Sequence, residues 1–243
     1  MAPPQFGTIE EIWRYPVSSL GGERLTSVEL GTDGIEGDRS WCVADAQSGH
    51  PAAPEKESRW KPALFLHSRS GRDRPEIGFP DGEWLRVGEG DTDAKLTLYF
   101  GFEVATRPYV ATGDAQTAVN RYEVSPVHLV TTNSLRHLST IVGTDDIDSR
   151  RFRPNVVLRT PAAEGFEEKS WLGSRMQMGE ATIHICEEAK RCGMTLIAQP
   201  GLPENPDVLR SLLRQNKRNF GIYGDVEISG KLTLGDPVEI VTG

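Results

Sequence analysis

Hydrophobic positions in the first hundred residues come in short clusters, each cut off by glycine, proline or aspartate. Segment 8–15 (TIEEIWRY) is β-rich and closes at Pro16. Segment 25–30 runs into a glycine-rich turn through Gly31 and Gly34, and the short apolar run 41–44 ends at Gln47-Ser48-Gly49. Runs at 63–68, 84–87 and 96–100 follow with the same punctuation. Short strands at this spacing predict a β-barrel or sandwich rather than alternating βαβ units. Helical periodicity emerges at two places. In 131–142 (TTNSLRHLSTIV) cap-type residues precede Leu135, Leu138 and Val142, and in 206–215 (PDVLRSLLRQ) Pro206 or Asp207 starts a face of Leu209, Leu212 and Leu213. The stretch 226–241 predicts two strands around the Ser229-Gly230 turn. Gly235-Asp236-Pro237 forms a further turn inside it, where Pro237 suits an edge position. The expected fold is mainly β, barrel-like, with a few short helices. A composition shift near 106–117 divides it into an N-terminal β unit, 1–106, and a second β-rich unit, 107–243.

Bulk properties narrow the setting. A chain of 243 residues can bury a sizeable core. The net charge of -8 argues against nucleic-acid binding, which needs a basic face, yet leaves room for a local basic pocket. Three cysteines, Cys42, Cys186 and Cys192, are too few and too odd in number for a disulfide framework, which fits the reducing cytosol. The opening residues lack the basic-then-apolar pattern of a signal peptide, and no apolar run approaches the roughly 20 residues that span a bilayer. A cytoplasmic protein with neither nucleic-acid nor membrane partners is expected.

Candidate chemistry is sparse. Cys192 ends the run Glu188-Ala189-Lys190-Arg191-Cys192. Cysteines with basic neighbours serve as metal ligands and nucleophiles, although a buried structural cysteine is the commoner explanation of one free thiol. Cys186 follows Ile183-His184-Ile185. Period two puts Cys186 and His184 on one face of a half-buried strand, and a Cys-x5-Cys spacing is not that of a zinc site. Cys42 beside Trp41 reads as core. Arg151-Phe152-Arg153-Pro154-Asn155 precedes the strand-like 156–158, and forked arginine donors with an amide can hold phosphate. Solvated charge flanking a strand is the plainer alternative. Gly37-Asp38-Arg39 repeats the arrangement ahead of Trp41, with a simple Gly-Asp turn as its alternative. No P-loop, GxGxxG, HExxH or GxSxG motif is present, and the five histidines show no ligand spacing.

These same segments resemble the MOSC family, and within it the branch of the mitochondrial amidoxime-reducing component and its bacterial relatives. Ile12-Trp13-Arg14-Tyr15-Pro16-Val17 is similar to the first strand of the family's N-terminal β-barrel domain. Asp38-Arg39-Ser40-Trp41 is similar to its DR-aromatic motif, and Ser125-Pro126 to the start of its MOSC part. Phe152-Arg153-Pro154-Asn155-Val156-Val157-Leu158 resembles its FRPN strand, the most specific of the matches. Arg191-Cys192 resembles the pair that ends its metal-binding segment, and Asn219-Phe220-Gly221-Ile222-Tyr223 and Gly235-Asp236-Pro237-Val238 its closing strands.

The resemblance implies a molybdenum cofactor (molybdopterin) with Cys192 as catalytic residue and protein ligand to the metal. Ser18, Ser19, Arg39, Ser125, Arg153 and Asn155 would grip the pterin and its phosphate, and Lys190, Arg191 and Tyr223 would flank the metal. It implies an oxidoreductase that reduces N-hydroxylated or N-oxide small molecules, supplied by a separate flavin, haem or iron–sulfur electron-transfer protein. Two other readings share the same cysteine. One is a non-redox sulfur carrier or lyase with Cys192 as a persulfide-bearing nucleophile, where pyridoxal phosphate would enter only through a partner enzyme. The other is a cofactor-binding or delivery protein. Ser18 stands where the family usually carries lysine, so a neutral hydroxyl or another cation such as Arg24 would have to serve. Ala189 stands where a second cysteine is often found. Substrate choice would fall to the loops 46–60 and 160–173.

Overall fold

The computed structural model describes residues 6–110, 116–119, 125–161, 163 and 165–241. The opening residues 1–5 and part of the composition shift at 106–117 lie outside them. The first half contains β1 (Gly7–Arg14), β2 (Glu23–Leu25), β3 (Ser27–Gly31), β4 (Gly34–Ile35) and β5 (Trp41–Asp45). A 3-10 segment at Ser58–Phe65 then leads to β6 (His67–Arg69), β7 (Glu76–Gly78), β8 (Trp84–Arg86), helix α1 (Gly90–Phe100) and β9 (Val104–Pro108). The second half contains β10 (Val127–Thr131), α2 (Thr132–Val142), β11 (Val156–Arg159), β12 (Arg175–Met178) and β13 (Ala181–Lys190). It ends with α3 (Pro206–Asn216), β14 (Asn219–Ile228), β15 (Gly230–Thr233) and β16 (Pro237–Val241).

Seven strands close a barrel in the order β11-β10-β14-β13-β12-β16-β1, with β1 returning to pair with β11 and β2 hanging on the far side of β1. The mainly β expectation is therefore met. The barrel forms because its strands alternate. In β13, Ile183 and Ile185 are fully buried while Thr182 and His184 face outward. Ile9, Ile12, Leu129, Val156, Leu158, Met176 and Ile222 fill the interior with them. β10 and β11 run parallel with α2 as their crossover, whereas their neighbours are antiparallel. β10 and most of β11 are buried on both faces, because α2 and α3 cover the outside of the barrel there. Phe152 and Phe220 stack beneath these helices at 3.9 Å between ring centroids.

The first half has a second core, built on Val17, Leu20, Val43, Trp60, Leu66, Ile77 and Leu96. Its strands form the pair β5–β9 and the sheet β6-β7-β8. β3 pairs with both β4 and β15, so the two halves share strands at two places, here and at β1.

Three expectations are corrected. The run 96–100 is the end of helix α1, not a strand: Asp91 and Asp93 favour its first turn and Gly101, at φ 77°, caps its end. Much of 63–68 belongs to the 3-10 segment, which buries Trp60, Ala63 and Leu64 at helical spacing, and the strand starts only at His67. The stretch 226–241 holds three strands rather than two, since the Gly235-Asp236 turn separates β15 from β16.

Gly221, at φ 75°, lets β14 pass close to β10. A Cβ there would overlap the Leu129 carbonyl oxygen and lie 2.8 Å from His128 Nε2. Gly221→Ala is expected to cost about 3 kcal/mol, from left-handed backbone and steric overlap together. Chemical denaturation reads this directly, and an unchanged midpoint would mean that β10 and β14 are not packed as described.

Candidate functional site

The open end of the barrel meets the first half across a cavity of about 430 Å³. The turn after β1 brings Ser18 and Ser19, and the approach to β5 brings Asp38 and Arg39. From the other half come Ser125, ahead of β10, and Arg153 and Asn155, ahead of β11. Arg191 and Cys192, just past the end of β13, and Tyr223 from β14 complete it. Nine of the sequence candidates thus line one space: Ser18, Ser19, Arg39, Ser125, Arg153, Asn155, Arg191, Cys192 and Tyr223. Lys190 does not; it is exposed at the end of β13, next to fully buried Ala189. Arg24 lines a separate groove of about 740 Å³ between β1, β11 and α2, so it is not a substitute cation here. That groove holds no cysteine, and its Glu10–Arg159 and Asp148–Arg150 charges satisfy one another.

Backbone conformation marks the same residues. Among the described residues, five non-glycine residues have positive φ, and three of them are Ser19 (66°), Arg39 (50°) and Arg153 (54°). Each costs on the order of 1 kcal/mol or more, and such strain gathers where a ligand demands a fixed geometry.

The cationic floor is tightly tied. Arg39 Nη2 donates to the Arg153 carbonyl at 2.8 Å, and its other arm pairs with Asp38. Asp38 also accepts from the Tyr15 N–H at 2.6 Å and from Asn155 Nδ2 at 3.0 Å. Arg153 Nη1 donates to the Leu20 carbonyl, and Arg191 Nη2 to the Phe152 carbonyl at 2.6 Å. Both Arg153 and Arg39 lie over the buried Tyr15 ring, at 4.2 and 5.0 Å. Burial brings the Arg153 guanidinium down to about 10, still charged at neutral pH. Two buried donors, Arg153 Nη2 and Arg191 Nε, have no protein partner. Unmet cationic donors beside a cavity are what an anionic group would satisfy.

His128 was not singled out by the sequence, because it sits inside the apolar run of β10. Its Nε2 is 3.3 Å from Arg191 Nη1 and its Nδ1 is 3.4 Å from the Arg153 carbonyl. A guanidinium only donates, so Nε2 accepts and Nδ1 carries the proton. Burial, together with Arg191 and Arg39 nearby, holds the imidazole well below its usual range, so it is neutral. Tyr15 and Tyr109 were also missed as parts of the site, whereas Asp38 and Arg151 belong to segments that the sequence had marked. Tyr109 lies 3.0 Å from the Ser18 hydroxyl. Arg151 donates to the carbonyls of Pro203 (2.7 Å) and Thr195 (3.3 Å), fastening the segment that follows Cys192.

Cys192 is free and exposed, with its carbonyl held by the Thr195 hydroxyl at 3.1 Å. Cys42 is a core residue whose burial pushes its thiol up to about 12. Cys186 sits on the outer face of β13 beside His184 and Asp225. No group of three or more His, Cys, Asp or Glu among the described residues is arranged to hold a metal ion. A metal at Cys192 would therefore take its remaining ligands from a bound molecule. Cavity size, orphaned cationic donors and an exposed thiol suit an anionic cofactor that supplies its own sulfur ligands. Of the two loops expected to shape substrate access, 46–60 lines the cavity through Pro51, Ala52 and Glu55; Thr160 of the other lines the separate groove.

Comparison with known proteins is consistent along the whole chain. The MOSC domain model matches residues 99–239, and the MOSC N-terminal beta barrel domain model matches residues 6–99. Mitochondrial amidoxime reducing component 2 of Rattus norvegicus is 24% identical, over 96% of this chain and 83% of that protein. The Bos taurus protein of the same name is 25% identical over the same shares. The crystal structure of the YUAD protein from Bacillus subtilis shares the fold, with a TM-score of 0.53 and 14% identity, over 96% of this chain and 94% of that one.

Neutral His128 makes the fold sensitive to acid. Its folded pKa lies below the unfolded value of about 6.5, so the two states bind protons equally above that pH. As pH falls below it, the unfolded chain takes up a proton that the folded chain refuses. Stability is expected to drop by up to about 1.4 kcal/mol per pH unit from this group. His128→Gln should flatten that slope between neutrality and mild acid in denaturation measured as a function of pH. An identical slope in the variant would show that His128 is not held neutral.

Proposed function

Because the chain belongs to the MOSC family, with both its MOSC domain and its N-terminal beta barrel domain, we propose that it is a molybdenum-cofactor oxidoreductase that reduces N-hydroxylated or N-oxide small molecules. The observation that carries this reading is the convergence of Cys192, Arg39, Arg153 and Arg191 on one cavity whose buried guanidinium donors lack protein partners. When bound, the cofactor supplies two-electron redox chemistry at its metal, while the protein positions it and tunes its surroundings.

The chain's own residues divide the work. Cys192 is the thiolate ligand. Arg153 and Arg39, locked over Tyr15, hold the phosphate end, and Ser18, Ser19 and Ser125 add neutral hydrogen bonds. Ser18 with Tyr109 takes the place of the family's lysine, exchanging a full charge for two hydroxyls. Arg191 spans from the Phe152 carbonyl to His128, which fixes the residue before the ligand. Pro51, Ala52 and Glu55 form the wall that a substrate meets. The net reaction, R–NHOH with two electrons and two protons giving R–NH2 and water, needs electrons from a separate carrier protein.

The first test is elemental analysis and pterin detection on protein made in a host that loads molybdoenzymes. Near-stoichiometric molybdenum, lost in Cys192→Ser with little change in folding stability, is the expected result. Absence of metal and pterin, beside a loaded control enzyme, would move the assignment to sulfur transfer at the same exposed thiol. Arg153→Ala removes charge-assisted hydrogen bonds, each about 1.5–3 kcal/mol. Cofactor retention on dilution or dialysis should weaken roughly 10- to 100-fold, and unchanged retention would remove Arg153 from the phosphate site.

A further inference from the structure

We propose that Arg214, Lys217 and Arg218, with Lys190 at their edge, form the docking face for an acidic one-electron carrier protein. This rests on the reductase reading, which requires electrons from outside the chain. The patch is tied to the chain segment that carries the thiol. The Arg191 N–H donates to the Arg218 carbonyl at 2.8 Å, and Lys190 is the cross-strand partner of Asn219. The turn carrying the patch is thus fastened to the two residues that precede Cys192.

Charge marks this surface. All four side chains are exposed, and none has an ion-pair or hydrogen-bond partner among the described residues. Several exposed arginines elsewhere are neutralised, as in Arg59–Asp45, Arg69–Glu76, Arg159–Glu10 and Arg175–Glu227, and the exposed Arg72 and Arg74, which carry no ion pair among the described residues, lie in the first half rather than on the turn tied to Arg191. An unpaired basic patch on a chain of net charge -8 creates a local field that attracts an acidic partner.

Backbone strain adds a second observation. Lys217 (φ 49°) and Arg218 (φ 72°) are consecutive left-handed residues that end α3, a place where glycine or asparagine is ordinarily found. The helix dipole accounts for one cation in the last turn, Arg214, but not for two more in a strained turn beyond it. The turn aims charge outward beside Cys192. Two single electrons delivered here, with two protons from solvent, convert one N–OH group to N–H and water.

The test uses loaded holoprotein and two reductants. One is an acidic plant-type [2Fe–2S] ferredoxin kept reduced by its reductase, and the other is reduced methyl viologen, a small cation that needs no docking. In the variant Arg214→Glu, Lys217→Glu, Arg218→Glu, ferredoxin-driven kcat/KM for an N-hydroxylated substrate is expected to fall about 10-fold or more, with viologen-driven turnover unchanged. The wild-type ferredoxin rate should also fall as ionic strength rises. A milder pair, Lys217→Asn with Arg218→Asn, suits the left-handed turn and so keeps the fold while removing charge; it should lower the ferredoxin rate in the same direction. Equal losses with both reductants, a ferredoxin rate insensitive to variants and salt, or no ferredoxin-driven turnover where viologen works would each overturn the proposal. Absence of viologen-driven turnover in the wild type would instead overturn the reductase reading. Calorimetric ferredoxin binding, lost or kept in the charge-reversed variant, then decides the docking face separately.

Discussion

A guanidinium taken out of water has to find replacements for every hydrogen bond it leaves behind, and this protein buries several around one space. Its solution is mostly neutral. Arg39, Arg153 and Arg191 donate to the backbone carbonyls of Arg153, Leu20 and Phe152, and Tyr15 offers its ring face to two of them. Asp38 is the carboxylate at the centre of this network. Carbonyls and an aromatic face satisfy geometry without cancelling charge. The floor therefore stays electropositive inside an acidic protein, and the loops that carry the arginines are held in left-handed conformations that isolated chains avoid.

That constraint also explains why the cavity lies where it does. Neither half of the chain holds the full set of groups. Ser18, Ser19 and Arg39 come from the first half and Arg153, Asn155 and Cys192 from the second. Bringing them together requires the shared strands, β1 inside the barrel and β15 against β3. Arg39 reaching the Arg153 carbonyl, Arg153 reaching the Leu20 carbonyl and Asn155 reaching Asp38 lock the two halves at the site.

Legibility from sequence followed contact range. Local patterns identified α2 and α3 through caps and periodicity, and β1, β5 and β8 through β-rich runs between turn residues. The run Leu96-Thr97-Leu98-Tyr99-Phe100 was ambiguous, since five apolar-rich residues fit either period, and the decisive Gly101 cap is a conformational fact. The arginines and Cys192 were visible because their residue types carry chemistry and their motifs resemble a family. His128 and Tyr15 were not, because each lies in an apolar strand pattern and acquires its role only from partners far along the chain. Lys190 is the opposite case: the resemblance put it beside the metal, whereas its side chain is exposed at the end of β13 and does not line the cavity.

The barrel is closed by the strand that is made first. β1 emerges before the rest of the barrel, yet its two partners within the barrel, β11 and β16, lie near residues 157 and 238. Until both appear, only the end of β1 that meets β2 is paired, and the loop that must close around it spans most of the chain. Such high contact order makes folding slow and keeps the nascent chain dependent on protection from aggregation. Ser18 and Ser19 follow β1 directly, so the two sides of the cavity come together only when β1 meets β11, near residue 157.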